Sequence, residues 1–278
     1  MARRSKFVKP DHRDFLRARV LGSKEISPHF VRVTIGGEGL HEFVPLGHDQ
    51  WFRLFLPTPE QPTLRLPTAT GKLWYAQYLA MGKATKPIVR NYSVRAFRPA
   101  DRALHGDTPE IDIDFVRHGS GEDAGPASAW ATSATPGGEV ALLDEGLIHN
   151  PDPDARRYLL VGDESALPAI AGILESAPAD VRGEAFLEIP HADDVQDVTV
   201  PAGMTLHWLP RSDPHGRPGE LALEAVRSAE LPELPDYTFA AGEAALATGV
   251  RRHLVSERGV AKSDVVFTGF WRYGNPAY

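Results

Sequence analysis

The chain has no cysteine among its 278 residues, which excludes disulfides, cysteine-ligated iron–sulfur clusters and thiol catalysis together. It carries no fused ferredoxin domain, and any one-electron chemistry must run through a bound organic cofactor. The eleven histidines form no H-E-x-x-H and no pair at i, i+4, so a built-in catalytic zinc is not expected and no metal site is assigned. Cations are outnumbered: 30 Lys and Arg face 37 Asp and Glu, a net charge of −7 that argues against general nucleic-acid binding. Neither an apolar run of membrane-spanning length nor a signal peptide appears, so a cytoplasmic protein without membrane association is expected. Both G-x-S-x-G and G-x-G-x-x-G are missing, the latter even where strand and helix meet.

What is present is long enough for two domains, with 42% hydrophobic residues to give each a core. The first half reads as strands at Phe15 to Leu21, His29 to Ile35, Gln50 to Leu56, Ile88 to Phe97, Glu110 to Arg117 and Glu139 to Leu143, separated by glycine, proline and charge. These predict an antiparallel β-barrel of six strands over residues 1–150. Pro57 to Lys86 shows little period and reads as a long insertion covering an opening, with a short helix or strand at Leu73 to Leu79. Beyond the proline-rich linker Asn150 to Asp154 the pattern changes. Strands at Arg157 to Val161, Glu184 to Ile189, Thr205 to Leu209, Tyr237 to Ala241 and Val265 to Phe270 alternate with helices at Ser165 to Glu175, Leu221 to Ala229 and Glu243 to Arg258. That alternation predicts a doubly wound parallel sheet over residues 155–278, an α/β nucleotide-binding domain with ligands at the carboxyl ends of its strands.

Three segments carry chemistry. Arg90-Asn91-Tyr92-Ser93-Val94-Arg95 puts a cation, an aromatic ring and a hydroxyl on one strand. A flavin nucleotide needs such a set: a guanidinium for phosphate, an aromatic face for its ring system and a hydroxyl near the redox-active nitrogen. Alone, the same residues also suit a solvated strand edge with a core tyrosine. Ile111 to His118 alternates and runs through Gly119 and Gly121 into Gly125-Pro126-Ala127-Ser128, a strand, a glycine-rich loop and a helix start whose free amides suit phosphate. Tyr158 to Gly162 is a buried strand that turns through Asp163-Glu164-Ser165 into a second helix. Two such junctions are what a two-nucleotide enzyme requires. Ser165 also reads as a plain helix cap.

In their order and intervals these segments resemble the siderophore-interacting protein family, flavin-dependent ferric-siderophore reductases within the ferredoxin-NADP reductase superfamily. The resemblance runs from about Phe15 to Trp271. It also rests on Gly162-Asp163-Glu164-Ser165-Ala166-Leu167-Pro168-Ala169-Ile170, Ala241-Gly242-Glu243-Ala244 with Arg251 to Leu254, and Trp271-Arg272-Tyr273-Gly274. It implies FAD as cofactor, NADPH or NADH as electron donor, and a ferric siderophore as substrate. By resemblance Arg90 pairs with the FAD pyrophosphate, Tyr92 packs on the flavin, Ser93 hydrogen-bonds near its reactive nitrogen, and Tyr92 and Ser93 are the catalytic pair. Val94, Asp114, His118, Gly125, Ala127 and Ser128 complete the flavin side. Gly162, Asp163, Glu164, Ser165, Gly242 and Glu243 face the nicotinamide, where helix capping is the competing role for the acids.

Glu188 and Arg211 stand where the adenosine end is selected and pull in opposite directions: a carboxylate favours a free ribose, an arginine a 2′-phosphate. The family resemblance leans towards NADPH. Lys83, Arg95, Lys262 and Arg272 are the candidate cations for an anionic iron complex, although charge runs are usually solvated faces. The protein is expected to act as a monomer. Two other readings share these motifs: a general flavin or ferredoxin reductase of the same fold, and a non-catalytic flavin- or siderophore-binding protein.

Overall fold

A computed structural model describes residues 5, 7–11, 13–58, 63–69, 71, 73–117, 125–213, 216–231 and 233–275. The first half builds one antiparallel sheet from seven strands, β1 (Phe15–Ser27), β2 (Phe30–Gly36), β3 (Trp51–Leu56), β4 (Ile88–Ser93), β5 (Ala96–Arg98), β6 (Glu110–Val116) and β7 (Glu139–Gly146). Their order is β4-β3-β7-β1-β2-β6-β5. The expected six-stranded barrel is corrected on this point. The single run Ile88 to Phe97 is cut at Val94 and Arg95, and its two pieces stand at opposite edges of the sheet. Val94 N–H donates to the Gln50 carbonyl on one side at 2.8 Å, and Arg95 N–H to the Asp112 carbonyl on the other at 2.9 Å. Two residues therefore carry the chain across the gap between the edges. The sheet curls until β4 lies beside β6, with no ladder closing it among the described residues.

Strand alternation explains its two cores. Phe52, Leu54 and Leu56 of β3 and Val140 and Leu142 of β7 point inward with Val33, Ile35, Ile111, Ile113 and Phe115. Helix α2 (Pro126–Ser133) packs Ala127 and Ala131 onto this cluster. Phe55, Ala141 and Leu143 point the other way, and helix α1 (Leu73–Ala80) buries Trp74 over them together with Leu64. The insertion thus contains a helix, and it covers the outer face of β3 and β7.

The second half is a five-stranded parallel sheet of β8 (Arg157–Gly162), β9 (Arg182–Ile189), β10 (Gly203–Pro210), β11 (Tyr237–Glu243) and β12 (Val265–Trp271), ordered β10-β9-β8-β11-β12. Helix α3 (Leu167–Ser176) packs on one face with Leu160, Leu187, Phe239 and Ala241. Helices α4 (Glu220–Ser228) and α5 (Ala244–Arg252) cover the other with Leu159, Val161, Phe186 and Ala240. The order reverses between β8 and β11, and a ligand crevice is expected outside the carboxyl ends of strands at such a point.

Polar ties join the halves. The buried Asp194 carboxylate accepts from the Ser27 hydroxyl at 2.6 Å and from His29 N–H at 3.0 Å. Arg95 forms a two-pronged ion pair with Glu175 of α3 at 2.9 and 3.0 Å. Phe30 of β2 sits in the α3 core, so apolar burial also crosses the boundary.

Candidate functional site

Edge strand β4 holds the first cluster. Its ladder partner is β3, with Ser93 opposite Trp51 and Arg90 opposite Leu54. The Arg90 guanidinium donates to the Val89 carbonyl at 2.8 Å and has no carboxylate partner among the described residues. Tyr92 turns its ring onto Phe115, centroids 4.3 Å apart, and Phe115 in turn meets Trp130 of α2 at 5.7 Å. Burial drives the Tyr92 phenol well above its usual range, against the pull of Arg90, so it stays neutral. The Ser93 hydroxyl has no partner among the described residues, and the half-buried Val94 is held by its amide bond to Gln50.

Two residues assigned to this site are committed elsewhere. The Asp114 carboxylate is buried and gripped by Arg32 through two bonds of 2.6 and 2.8 Å. Arg95, a candidate substrate cation, is spent on Glu175. At the start of α2, Gly125 is exposed, and none of the described residues lies within 4 Å of where a Cβ on it would stand. Pro126 opens the helix, Ala127 is buried, and the half-exposed Ser128 accepts the Thr132 hydroxyl on its carbonyl. His118 lies outside the described residues.

The second cluster is built by the carboxyl ends of the parallel strands. Gly162 ends β8 because a Cβ there would lie 2.7 Å from both Ala166 Cβ and Ile170 Cδ1; its smallness serves the seating of α3. Asp163 follows, fully buried. It accepts from the Ser165 amide (2.9 Å) and hydroxyl (2.5 Å), from Glu243 N–H (2.6 Å) and from Trp271 Nε1–H (3.0 Å). One carboxylate thereby ties together the ends of β8, β11 and β12. Burial, and then the neighbouring Glu164 charge, push its pKa up to about 7 in spite of these donors. Gly242 has φ 119° and would place a Cβ 2.5 Å from Asp163 Oδ1, so only glycine lets the carboxylate reach across.

Glu164 and Arg211 meet face to face, with bonds of 2.8 and 3.0 Å, and Arg211 also donates to Glu188 at 2.8 Å. Burial pulls the Arg211 guanidinium down, but Glu164 and Glu188 outweigh it and hold it above arginine's ordinary value. Glu188 accepts the Gly219 and Ala222 amides at 2.9 Å each, capping α4 from the neighbouring strand. Glu243 caps α5 and meets Arg217 at 3.3 Å and Tyr273 N–H at 3.2 Å. Burial works to raise its pKa, and the Tyr273 and Ala245 amides with Arg217 overcome that and lower it.

Sequence reasoning therefore brings Gly162, Asp163, Glu164, Ser165, Glu188, Arg211, Gly242 and Glu243 to one strand-end cluster. The groups themselves are engaged with one another. A cavity of about 290 Å³ opens beside them, lined by Glu188, Arg211, Ser212, Asp213, Arg217 and Glu220 among others. Arg217 and Glu220 were not predicted; lying at the mouth of α4, they carry no motif. The remaining candidate cations are dispersed. Lys83 is exposed in the turn after α1, and Arg272 is exposed just past β12. Lys262 sits in the turn that enters β12, at the amino end of that strand, on the edge of the sheet opposite the cluster.

Two family models divide the chain between them: the siderophore-interacting FAD-binding domain matches residues 19–147 and the siderophore-interacting protein model residues 155–274. Ferric vibriobactin reductase ViuB of Vibrio cholerae is 32% identical over 273 residues, covering 96% of this chain and 91% of that one. The siderophore-interacting protein SipS from Aeromonas hydrophila superposes with a TM-score of 0.74 and 32% identity over 95% of this chain and 93% of its own. A siderophore utilization protein from T. fusca gives 0.74 with 29% identity over 95% and 94%. The ferredoxin reductase of carbazole 1,9a-dioxygenase, at 16% identity and a TM-score of 0.62 over 94% of this chain and 71% of its own, shares the fold. With both halves matched and a relative at 32% identity across nearly its whole length, the chain belongs to the siderophore-interacting protein family.

Proposed function

We propose that the chain is a flavin-dependent ferric-siderophore reductase. The observation that carries the reading is the pair of groups on β4 with no side-chain partner among the described residues, the Arg90 guanidinium, bonded only to the Val89 carbonyl there, and the Ser93 hydroxyl, beside the neutral Tyr92 ring within the span of the FAD-binding model. Bound FAD supplies the conversion of a two-electron hydride donor into single-electron delivery. The overall balance is one NAD(P)H and two Fe(III) giving NAD(P)⁺, one proton and two Fe(II). Fe(II) suits hard oxygen ligands less well, which frees the metal from the siderophore.

The chain's own residues bind and orient. Arg90 supplies a charge-assisted donor to the pyrophosphate, joined by first-turn amides of α2 above the open Gly125. Tyr92, pinned on Phe115, presents a ring of fixed orientation to the flavin. Ser93 would offer its hydroxyl to the flavin ring as a hydrogen-bond donor, with no proton transferred. The nicotinamide donor takes the crevice at the β8/β11 reversal, where Asp163 holds the strand ends in place. Lys83 and Arg272, both exposed, are offered to the anionic iron complex. The reaction runs in the cytoplasm on a monomer; no helix among the described residues is long and apolar enough to cross a membrane.

The deciding experiment is the visible spectrum of the purified protein without oxygen. Addition of NADH or NADPH bleaches the flavin band, and a ferric siderophore restores it. A protein that stays colourless with FAD supplied overturns the flavin assignment, and bleaching without recovery points to a different acceptor.

A further inference from the structure

The geometry points to a nicotinamide donor without a 2′-phosphate, NADH in preference to NADPH, because the strand-end arginine that would bind that phosphate is held between two buried carboxylates. This rests on the reductase reading above and specifies its donor. The cavity of about 290 Å³ opens where β9 and β10 end and α4 begins, at the carboxyl edge of a doubly wound sheet, the place for the adenosine end of a dinucleotide. Recognition of a 2′-phosphate there needs a cation free to turn towards it.

Arg211 is not free. Its side chain is 9% exposed, and its two terminal nitrogens donate to both Glu164 oxygens and to Glu188. Those carboxylates cannot let go cheaply. Glu164 is 1% exposed and Glu188 0%, so turning Arg211 away would leave two buried charges unpaired. Glu188 is also fixed by the Gly219 and Ala222 amides. The second arginine on the wall, Arg217, meets Glu243 at 3.3 Å and lies over the Tyr273 ring at 5.6 Å. No other Lys or Arg lines the cavity among the described residues.

The acids are in excess. Glu188, Asp213 and Glu220 line the cavity against two arginines, and Glu164 and Glu243 stand directly behind those arginines. A phosphate dianion entering this site meets net negative charge at short range. A ribose diol fits it: the Ser212 hydroxyl and the exposed Glu220 carboxylate are acceptors for its two hydroxyl protons.

The test titrates FAD-loaded protein with 5′-AMP and with 2′,5′-ADP by calorimetry, and compares anaerobic flavin bleaching by NADH and NADPH. 5′-AMP is expected to bind at least about tenfold more tightly, and NADH to bleach the flavin with a kcat/KM larger by a similar factor. Glu220→Arg, on the exposed first turn of α4, replaces an acceptor for the ribose diol with a cation and should raise 2′,5′-ADP affinity about tenfold while 5′-AMP binds less tightly. Tighter or equal binding of 2′,5′-ADP by the unaltered protein overturns the inference, as does a failure of both ligands to bind. Equal bleaching by the two donors also overturns it while leaving the reductase reading intact. A flavin that dithionite reduces but neither donor does overturns the reading itself.

Discussion

The two halves of the molecule place polar residues on their strands for opposite purposes. On β4 the chain leaves Arg90 and Ser93 half-buried and without side-chain partners among the described residues, on a strand that pairs along one edge. Across the parallel sheet, Asp163, Glu164, Glu188 and Glu243 are at most 1% exposed, and each is bound by amides or arginines of a neighbouring element. The first arrangement leaves hydrogen-bonding capacity to a ligand. The second spends that capacity on joining strands, so the ligand is offered a shaped crevice instead of free charges. Substitution should therefore uncouple stability from cofactor binding in one half and not in the other.

The largest effect is expected at Asp163. Asp163→Ala leaves Trp271 Nε1–H, Glu243 N–H and the Ser165 hydroxyl without their shared acceptor at the junction of three strands. An orphaned buried donor costs roughly 1–3 kcal/mol, and with one donor buried and two partly buried the unfolding free energy from urea melts should fall by several kcal/mol. Wild-type-like unfolding would show that the strand ends are not held through this carboxylate.

A smaller effect, visible in its pH dependence, belongs to Asp49. This aspartate is 2% exposed and accepts the Ile148 and His149 amides where the chain leaves β7. Burial lifts its pKa from 3.8 to about 7 against those amides. The folded chain therefore keeps a proton that the unfolded chain releases. Its contribution to stability is complete below about pH 4 and is lost as pH rises through 7, at about 1.4 kcal/mol per displaced unit. Asp163, shifted in the same direction, adds to the slope. Denaturant melts between pH 5 and 8 should show stability falling with pH, and Asp49→Asn should flatten the fall. An unchanged slope in the variant assigns the effect elsewhere.

Arg90 sharpens the contrast from the other side. Arg90→Gln is expected to leave the unfolding free energy within about 0.5 kcal/mol, as for a surface residue outside any network. FAD affinity should drop by roughly 2 kcal/mol, about thirtyfold, for the loss of a charge-assisted bond. Flavin fluorescence on titration reads the second number and denaturation the first. A variant that loses stability and keeps its flavin would reverse the roles of the halves.

How far these roles were readable differs between the halves for a physical reason. Local period revealed five of the seven strands in the first sheet as separate runs and all five of the second, because alternation and short buried apolar runs are properties of neighbouring residues. The break at Val94 was invisible, since the run alternates straight through it; it follows from the curl of the sheet, which sets Gln50 on one side and Asp112 on the other. The flavin-side residues could be named because one strand carries Arg90, Tyr92 and Ser93 together. The fate of the acids could not. Glu164 and Arg211 are 47 positions apart, and Asp163 and Glu243 are 80, so whether such a charge is free or spent depends on packing that no local pattern encodes.

The smallest expected effect tests the seam between the halves. Arg95 and Glu175 are joined by two bonds, and their side chains are 11% and 30% exposed. Partly solvated pairs contribute roughly 0–1 kcal/mol, and this one works alongside the Asp194 bonds and the burial of Phe30. A double-mutant cycle of Arg95→Ala and Glu175→Ala should give a coupling below about 1 kcal/mol that shrinks further in high salt. Arg95 also lies 4.0 Å from Asp114, which Arg32 already satisfies, so its removal strands no second charge. A coupling of several kcal/mol would instead make this pair the main fastening between the two sheets and assign to Arg95 the kind of structural role that Arg211 plays at the strand ends.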